Sequence, residues 1–238
     1  MSETTKPNNR LLAALPVKEY KLLLPKLEEI SLTHAETIYE PDDVIRHVYF
    51  LNRGMAWLLT RVTKGNLLEV GVVGNEGVVG LPVFLGVKTS SNHVIAQGNG
   101  TALRIKTKDF LKECERGGSL PKLLQRFTHA LLMQTSQTVA CTRFHLIKER
   151  LACLLLAMHD QTEADKFQIT QEFLSNLLGV RREAVSKAAT NLQQNGLIGY
   201  SRGKVSILNR AGLEAAACCC YSIIKEEYKK LFENSDRS

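Results

Sequence analysis

The sequence predicts an α+β chain in three parts: a strand-rich antiparallel first half, a long helical middle, and a small unit of helices and one hairpin in the last third. Three observations carry this. Short β-prone runs separated by turn residues fill positions 36–106, helical periodicity returns after Thr107, and positions 170–207 hold two short helical patterns followed by a basic hairpin. At 238 residues the chain exceeds what one core typically needs, so two domains are expected.

Composition bounds the class. Hydrophobic residues at 44% and charged residues at 23% describe an ordinary globular protein, not a disordered one. No run approaches the roughly 18 consecutive apolar residues that cross a bilayer. Met1 to Arg10 is polar and lacks the apolar core of a secretory signal, so a cytoplasmic protein without a membrane partner is expected. The formal net charge of +7 suits a polyanionic partner. Between Lys166 and Leu213 seven basic residues face only two acidic ones, Glu172 and Glu183, a local excess that a phosphate-facing surface needs.

The first segment, Leu11 to Ile30, places Tyr20, Leu23, Leu24 and Leu27 on one helical face, with Pro25 straining or breaking the helix. Five β-prone runs follow: Val44–Leu51, Ala56–Val62, Leu67–Val73, Val94–Gln97 and Ala102–Ile105. Turn signals divide them at Pro41-Asp42-Asp43, Asn52-Arg53-Gly54, Lys64-Gly65-Asn66, Gly74-Asn75-Glu76-Gly77 and Gly98-Asn99-Gly100. In the third run Leu68, Val70 and Val72 share one face, Glu69 and Gly71 the other. Short strands at this spacing predict a small antiparallel barrel or sandwich.

Thr107 or Asp109 is placed to cap a short helix containing Phe110 and Leu111. A longer helix is predicted from Leu120 to Phe144, with Leu120, Leu123, Leu124, Phe127, Leu131, Thr138, Cys141 and Phe144 at helical spacing. The next, Ile147 to His159, is apolar almost all round and should be buried between elements. The polar stretch Asp160 to Lys166 reads as a link into the last part.

That last part carries the function. Thr170 is a good N-cap, and Glu172 suits the positive end of the helix dipole. Phe173, Leu174, Leu177 and Leu178 give the buried face, and Gly179 stops the helix. A second helix from Arg182 to Asn195 turns Val185, Ala188, Ala189 and Leu192 inward, leaving Arg181, Arg182, Glu183, Ser186 and Lys187 facing outward near its start. Gly196 ends it. Two short helices, a glycine-containing turn and a basic second start make a helix-turn-helix. Arginine and lysine can donate to guanine and glutamate can accept from cytosine in the major groove, which admits one such helix. The following Leu197–Ile207 turns at Arg202-Gly203 into a wing whose basic tip, with Lys204, can meet phosphate. Asn209 is placed to cap a final helix rich in Ala and Cys. An ordinary αα-hairpin needs none of the basic start, the capped first helix and the basic hairpin together.

The stretch from Ile169-Thr170-Gln171-Glu172 through Gly179-Val180-Arg181-Arg182-Glu183-Ala184-Val185-Ser186-Lys187 to Asn195-Gly196-Leu197-Ile198 resembles the Crp/Fnr superfamily of bacterial regulators. The resemblance extends over nearly the whole chain. It implies an effector domain at 1–119 whose Glu36–Lys106 forms the jelly-roll-like β-roll of cyclic-nucleotide-binding proteins. It implies a dimerisation helix at 120–146 and a winged helix-turn-helix domain at 147–238. It further implies base contacts from Arg182, Glu183 and Lys187, with Thr170, Arg181, Ser186, Arg202 and Lys204 on the DNA backbone. Where the family often has Ser or Thr this chain has Arg181, which weakens the N-cap and offers a phosphate contact instead. Double-stranded DNA, a second copy of the chain and RNA polymerase are the implied partners.

The usual effector is not implied. Nucleotide-binding members cradle the cyclic phosphate with a Gly-Glu pair followed by an Arg-Ser pair; the matching places here read Gly80-Leu81-Pro82 and Ser90-Ser91-Asn92-His93. A degenerate pocket of Gly80, Leu81, Pro82, Ser91 and Asn92 lacks the carboxylate and the arginine, and a buried phosphate without partners is costly. No tight cyclic AMP binding is expected. No cofactor or metal is expected either: nothing before Cys114 is a cysteine, and His34, His47 and His93 are scattered. Cys218, Cys219 and Cys220, read as one helical run, would point about 100° apart and could not grip one metal. They are expected to be buried small side chains, with a redox sensor as the competing reading.

The leading reading is therefore a homodimeric, sequence-specific DNA-binding regulator. A ligand-sensing or protein-interaction module of the same fold that has lost DNA binding is the alternative, separable by the salt dependence of DNA affinity. An enzyme is not expected, since the chain lacks a Gly-rich phosphate loop, metal-spaced cluster or nucleophile motif.

Overall fold

The computed structural model describes residues 7–63, 66–162 and 164–233. Lys64 and Gly65 of the predicted Lys64-Gly65-Asn66 turn, the first six residues of the polar N-terminus and one position of the Asp160–Lys166 link lie outside the described residues. The described residues pack as two compact units: 7–58, 72–131 and 228–233 in one, 59–63, 66–71, 132–162 and 164–227 in the other.

The first unit opens with two helices where the sequence suggests one, α1 (Arg10–Ala13) and α2 (Val17–Leu23). Asn9 explains the early start: its Oδ1 accepts from Leu12 N, while its Nδ2 donates to the carbonyls of Leu51 and Gly77. A buried amide that satisfies both ends of its side chain pins the entry of the chain to the sheet. A 3₁₀ turn over Leu24–Lys26 contains Pro25, and the expected continuation to Ile30 is instead strand β1 (Glu28–Leu32). Pro25 lacks the N–H that an α-helix would need and releases the chain into extended geometry.

β1 pairs antiparallel with β6 (His93–Lys106), which also carries β2 (Thr37–Tyr39). β3 (His47–Thr63), β4 (Asn66–Val73) and β5 (Val78–Val79) complete the sheet, in the order β1-β6-β3-β4 with β2 on β6 and β5 on β3. Two predicted turns are thus not turns. Asn52-Arg53-Gly54 and Gly98-Asn99-Gly100 lie inside the continuous strands β3 and β6. Gly54 and Gly98 adopt φ of +85° and +77°, and a Cβ on Gly100 would lie 2.1 Å from the Arg53 carbonyl oxygen. The glycines let the backbones kink and touch without reversing. Trp57, fully buried, donates from Nε1 to Gln97 Oε1 at 3.2 Å across the sheet.

Helix α3 (Thr107–Glu115) follows directly, packing Phe110 against Phe50. Neither Thr107 nor Asp109 caps it. Lys106 occupies the cap position without a side-chain bond, and the Thr107 hydroxyl donates to the Ile45 carbonyl at 2.6 Å. Helix α4 (Ser119–Phe144) has Pro121 in its first turn, where the missing N–H leaves no helical bond unmade. The Glu19 carboxylate accepts from the N–H groups of Ser119 and Leu120 at 2.9 and 3.3 Å, so the start of α4 is capped by a distant residue.

In the second unit α5 (Ile147–Thr162) is buried along most of its length, as expected. Then come β7 (Lys166–Gln168), α6 (Gln171–Leu178), α7 (Arg182–Gln194), β8 (Ile198–Ser201), β9 (Lys204–Ile207) and α8 (Arg210–Ala216). The sheet order is β7-β9-β8, so part of the supposed link is a third strand of the wing. A separate helix, α9 (Cys220–Glu233), follows α8. Among the described residues no helix is long and apolar enough to cross a membrane.

Candidate nucleic-acid interface

The Thr170 hydroxyl accepts from Phe173 N at 3.1 Å, which caps α6 as the sequence predicts. Leu174, Leu177 and Leu178 are buried beneath it. Gly179 closes the helix at φ 64° and ψ 38°, left-handed geometry that glycine takes without strain. The Arg150 guanidinium reaches the last turn, donating to the Leu178 carbonyl at 2.6 Å. Its charge also faces Glu69 on β4, whose half-buried carboxyl is pushed up to about 7 by burial against the opposing pull of Arg150.

Helix α7 then begins with Arg181 at its cap, with no side-chain bond to the helix. Val185, Ala188, Ala189 and Leu192 are buried, so the opposite face is fixed by helical periodicity. On that face Arg181, Arg182, Glu183 and Lys187 are exposed and Ser186 is half-buried. Among the described residues no ion pair engages any of these four charges. The outward face continues past the predicted residues through Thr190, Asn191, Gln193 and Gln194, all exposed. These were legible as the i+3 and i+4 continuation of the same stripe.

The wing turns through two residues, Arg202 at φ 49° and Gly203 at φ 74°, with Ser201 opposite Lys204. Both positive φ values belong to the turn that matches strand twist in a two-residue hairpin. Tyr200 donates its hydroxyl to the Ile169 carbonyl at 2.9 Å, tying the wing to the entry of α6. An open groove of about 440 Å³ runs beside the wing, lined by Gln193, Tyr200, Arg202 and Lys204 among others. Cations at a groove edge and an exposed polar helix start can neutralise phosphates and present donors and acceptors to bases. This arrangement defines a winged helix-turn-helix.

The positions matching the family's nucleotide pocket are built differently. Gly80 is left-handed at φ 100° and opens a 3₁₀ turn over Leu81–Val83 in which Leu81 and Val83 are buried. Ser90 is buried with its hydroxyl donating to the Asn92 carbonyl, while Ser91 is exposed. His34 accepts from Gly98 N, and His93 lies within hydrogen-bond reach of Thr37.

The cysteine run corrects the sequence reading. Ala217 is extended at φ −79° and ψ 154°, so Cys218 and Cys219 lie in the link between α8 and α9 and only Cys220 is helical. Freed from one helix, Cys218 and Cys220 converge with Cys141 and His145, their ligand atoms all within 4.8 Å of one another. Only Cys219 of the run is exposed.

Comparison with known proteins agrees with this geometry. Residues 149–216 match the Crp-like helix-turn-helix domain, and residues 29–116 match the cyclic nucleotide-binding domain. The nitrogen fixation regulation protein FixK of Bradyrhizobium diazoefficiens is 25% identical over 206 residues, covering 79% of this chain and 81% of that protein. The transcriptional regulatory protein btr of Bordetella pertussis is 25% identical over 198 residues, covering 79% and 80%. The solved structure of FixK2 from Bradyrhizobium japonicum superposes with a TM-score of 0.68 at 19% identity, over 81% of this chain and 98% of that one. A Crp-family transcriptional regulator from Thermus thermophilus superposes with a TM-score of 0.63 at 20% identity, over 79% and 96%. The chain belongs to the Crp/Fnr family of DNA-binding transcription regulators, a family of regulators and not of enzymes.

Proposed function

We propose that the protein acts as a homodimer on an inverted-repeat operator, reading bases with Arg182, Glu183 and Lys187. Thr170, Arg181, Ser186, Arg202 and Lys204 would hold the DNA backbone. The observation that carries this is the exposed charged start of α7, free of ion pairs among the described residues and followed by a basic wing. Base readout needs donors and acceptors that are not already spent within the protein.

A second observation supports the dimer. Several apolar positions expected to form the seam, Leu120, Leu123, Leu124 and Phe127, are buried within the protomer itself. What α4 leaves outside is Leu132, Val139 and Phe144, which are 62%, 65% and 79% exposed, the first two of them seven residues apart. Exposed apolar side chains along one long helix, two of them a heptad apart, are what pairing with a second copy of that helix covers. On this reading residues 1–119 form the effector domain, 120–146 the dimerisation segment and 147–238 the DNA-binding domain. RNA polymerase is the protein partner and the cytoplasm the compartment. No enzymatic activity is assigned.

Cyclic AMP is not the effector in this proposal. Buried Leu81 and Val83 stand near where a ribose-binding carboxylate would be needed, and no arginine is present at Ser90-Ser91. Selection from random DNA should return paired half-sites about 10 bp apart, one helical turn. Enrichment of a lone half-site, or none at low salt, would contradict the proposal. Calorimetry with cyclic AMP is expected to register no tight binding.

A further inference from the structure

We propose that Cys141, His145, Cys218 and Cys220 form a binding site for a thiophilic divalent cation of the zinc class. The four residues come from two places in the chain. Cys141 and His145 are one helical turn apart at the end of α4, where His145 N still donates to the Cys141 carbonyl at 3.2 Å. Cys218 and Cys220 flank the start of α9 with one residue between them. Cys141 Sγ lies 3.5 Å from Cys218 Sγ, and Cys220 Sγ lies 3.3 Å from His145 Nδ1. A tetrahedral ion holding sulfur at about 2.3 Å and nitrogen at about 2.0 Å separates its ligand atoms by roughly 3.5–3.8 Å. These two edges lie within about 0.3 Å of those lengths, and drawing in the longest edge requires about 1 Å.

The surroundings are those of a supported site and not of a plain apolar core. Gln137, one turn before Cys141 on α4, donates from Nε2 to Cys220 Sγ at 3.1 Å. An amide N–H aimed at sulfur favours the thiolate and orients it. Cys153 on α5 lies 3.2 Å from Cys218 Sγ, a further thiol in contact with the proposed ligands. Cys141, Cys218 and Cys220 are buried, while exposed Cys219 lies 3.9 Å from His145 Nε2 and marks the side from which an ion can enter. Binding replaces three thiol protons by one cation, leaving three thiolates and a neutral imidazole around it. Occupancy would tie the end of α4 to the α8–α9 link through His145, the first of the two residues between α4 and α5.

Anaerobic titration of the reduced full-length protein with cobalt(II) tests this, followed by displacement with zinc. One cobalt per protomer is expected, with thiolate-to-cobalt charge-transfer absorption and the intense visible bands of tetrahedral coordination, both bleached by one equivalent of zinc. Cys141→Ser and Cys220→Ser should each weaken binding at least tenfold. His145→Gln, a change at a half-buried position that spares the core, should shift the visible bands and weaken binding similarly with unchanged circular dichroism. Cys114→Ser, on α3 and outside the cluster, should bind as the parent does. The proposal is overturned if the parent protein, with its thiols shown to be reduced, develops no charge-transfer band. It is equally overturned if His145→Gln and both serine variants bind cobalt like the parent.

Discussion

Two sets of charges in the DNA-binding unit, similar in residue type, are used in opposite ways. Where α5, α8 and α9 meet, Arg210 bonds Asp160 at 2.6 Å, Glu214 at 3.0 Å and the Tyr221 hydroxyl at 2.7 Å. Tyr221 donates in turn to Asp160 at 2.6 Å, and Lys225 lies 3.7 Å from the same carboxylate. At the start of α7 and on the wing, Arg181, Arg182, Lys187, Arg202 and Lys204 stand exposed, without an ion pair among the described residues. A paired, partly buried guanidinium contributes to stability, and its removal leaves a carboxylate short of partners. An exposed, unpaired one contributes little to folding and keeps its charge available to a polyanion. Which arginine does which is decided by what lies within hydrogen-bond reach.

The largest effect that could break this comparison is at Arg182. Arg182→Ala should weaken operator binding by about 1–3 kcal/mol and relax sequence preference, with a melting temperature close to that of the parent. A band-shift series beside a thermal scan checks both, and normal operator affinity would remove the assigned readout. Arg210→Ala should behave in the reverse sense, losing about 1–2 kcal/mol of stability, roughly 2–8 °C, while operator affinity stays within about twofold. Glu69 sharpens the contrast as a carboxyl with an inadequate partner. Burial raises its pKa to about 7, whereas an unfolded glutamate titrates near 4.3. The folded state therefore holds a proton that the unfolded state releases, so stability falls as pH rises between these values, and the whole loss is present above pH 7. Glu69→Gln should be more stable than the parent by about 1–2 kcal/mol at pH 8, allowing for screening at a half-buried site. The gap should close as pH approaches 4, as thermal denaturation at several pH values will register. The smallest effect is at the wing: Lys204→Ala should lower affinity for any sequence alike and reduce the slope of log affinity on log salt by about 1.

The helix-turn-helix was legible because its signals are local. Thr170 through its hydroxyl, and Gly179 and the Arg202-Gly203 turn through their backbone, act within a few residues of where they stand. The strands were legible as a class but not in their joints. Gly54 and Gly100 look like turns in a single sequence; only the opposite strand, with Gly100 against Arg53, shows that they relieve a close approach. The start of α4 is capped by Glu19, a hundred residues away, and no local pattern announces that. The exposed apolar positions Leu132, Val139 and Phe144 on α4 were masked because the same helix also carries the apolar residues buried within the protomer. The cysteine run was misread for a related reason. Alanine-rich sequence before Cys218 favours helix, yet the chain extends at Ala217, and convergence with Cys141 and His145 exists only in three dimensions.

The wing turn has one more consequence. Arg202 adopts φ of 49°, a conformation that costs an ordinary side chain about 1 kcal/mol or more and that asparagine or glycine accepts readily. A loop whose only task was to reverse direction would be steadier with asparagine there. The arginine instead places a cation on a lever arm two residues long, too short to swing far from the strands that bear it. Exchanging it for asparagine should therefore make the hairpin firmer and its grip on the double helix weaker, two properties that pull apart at this single position.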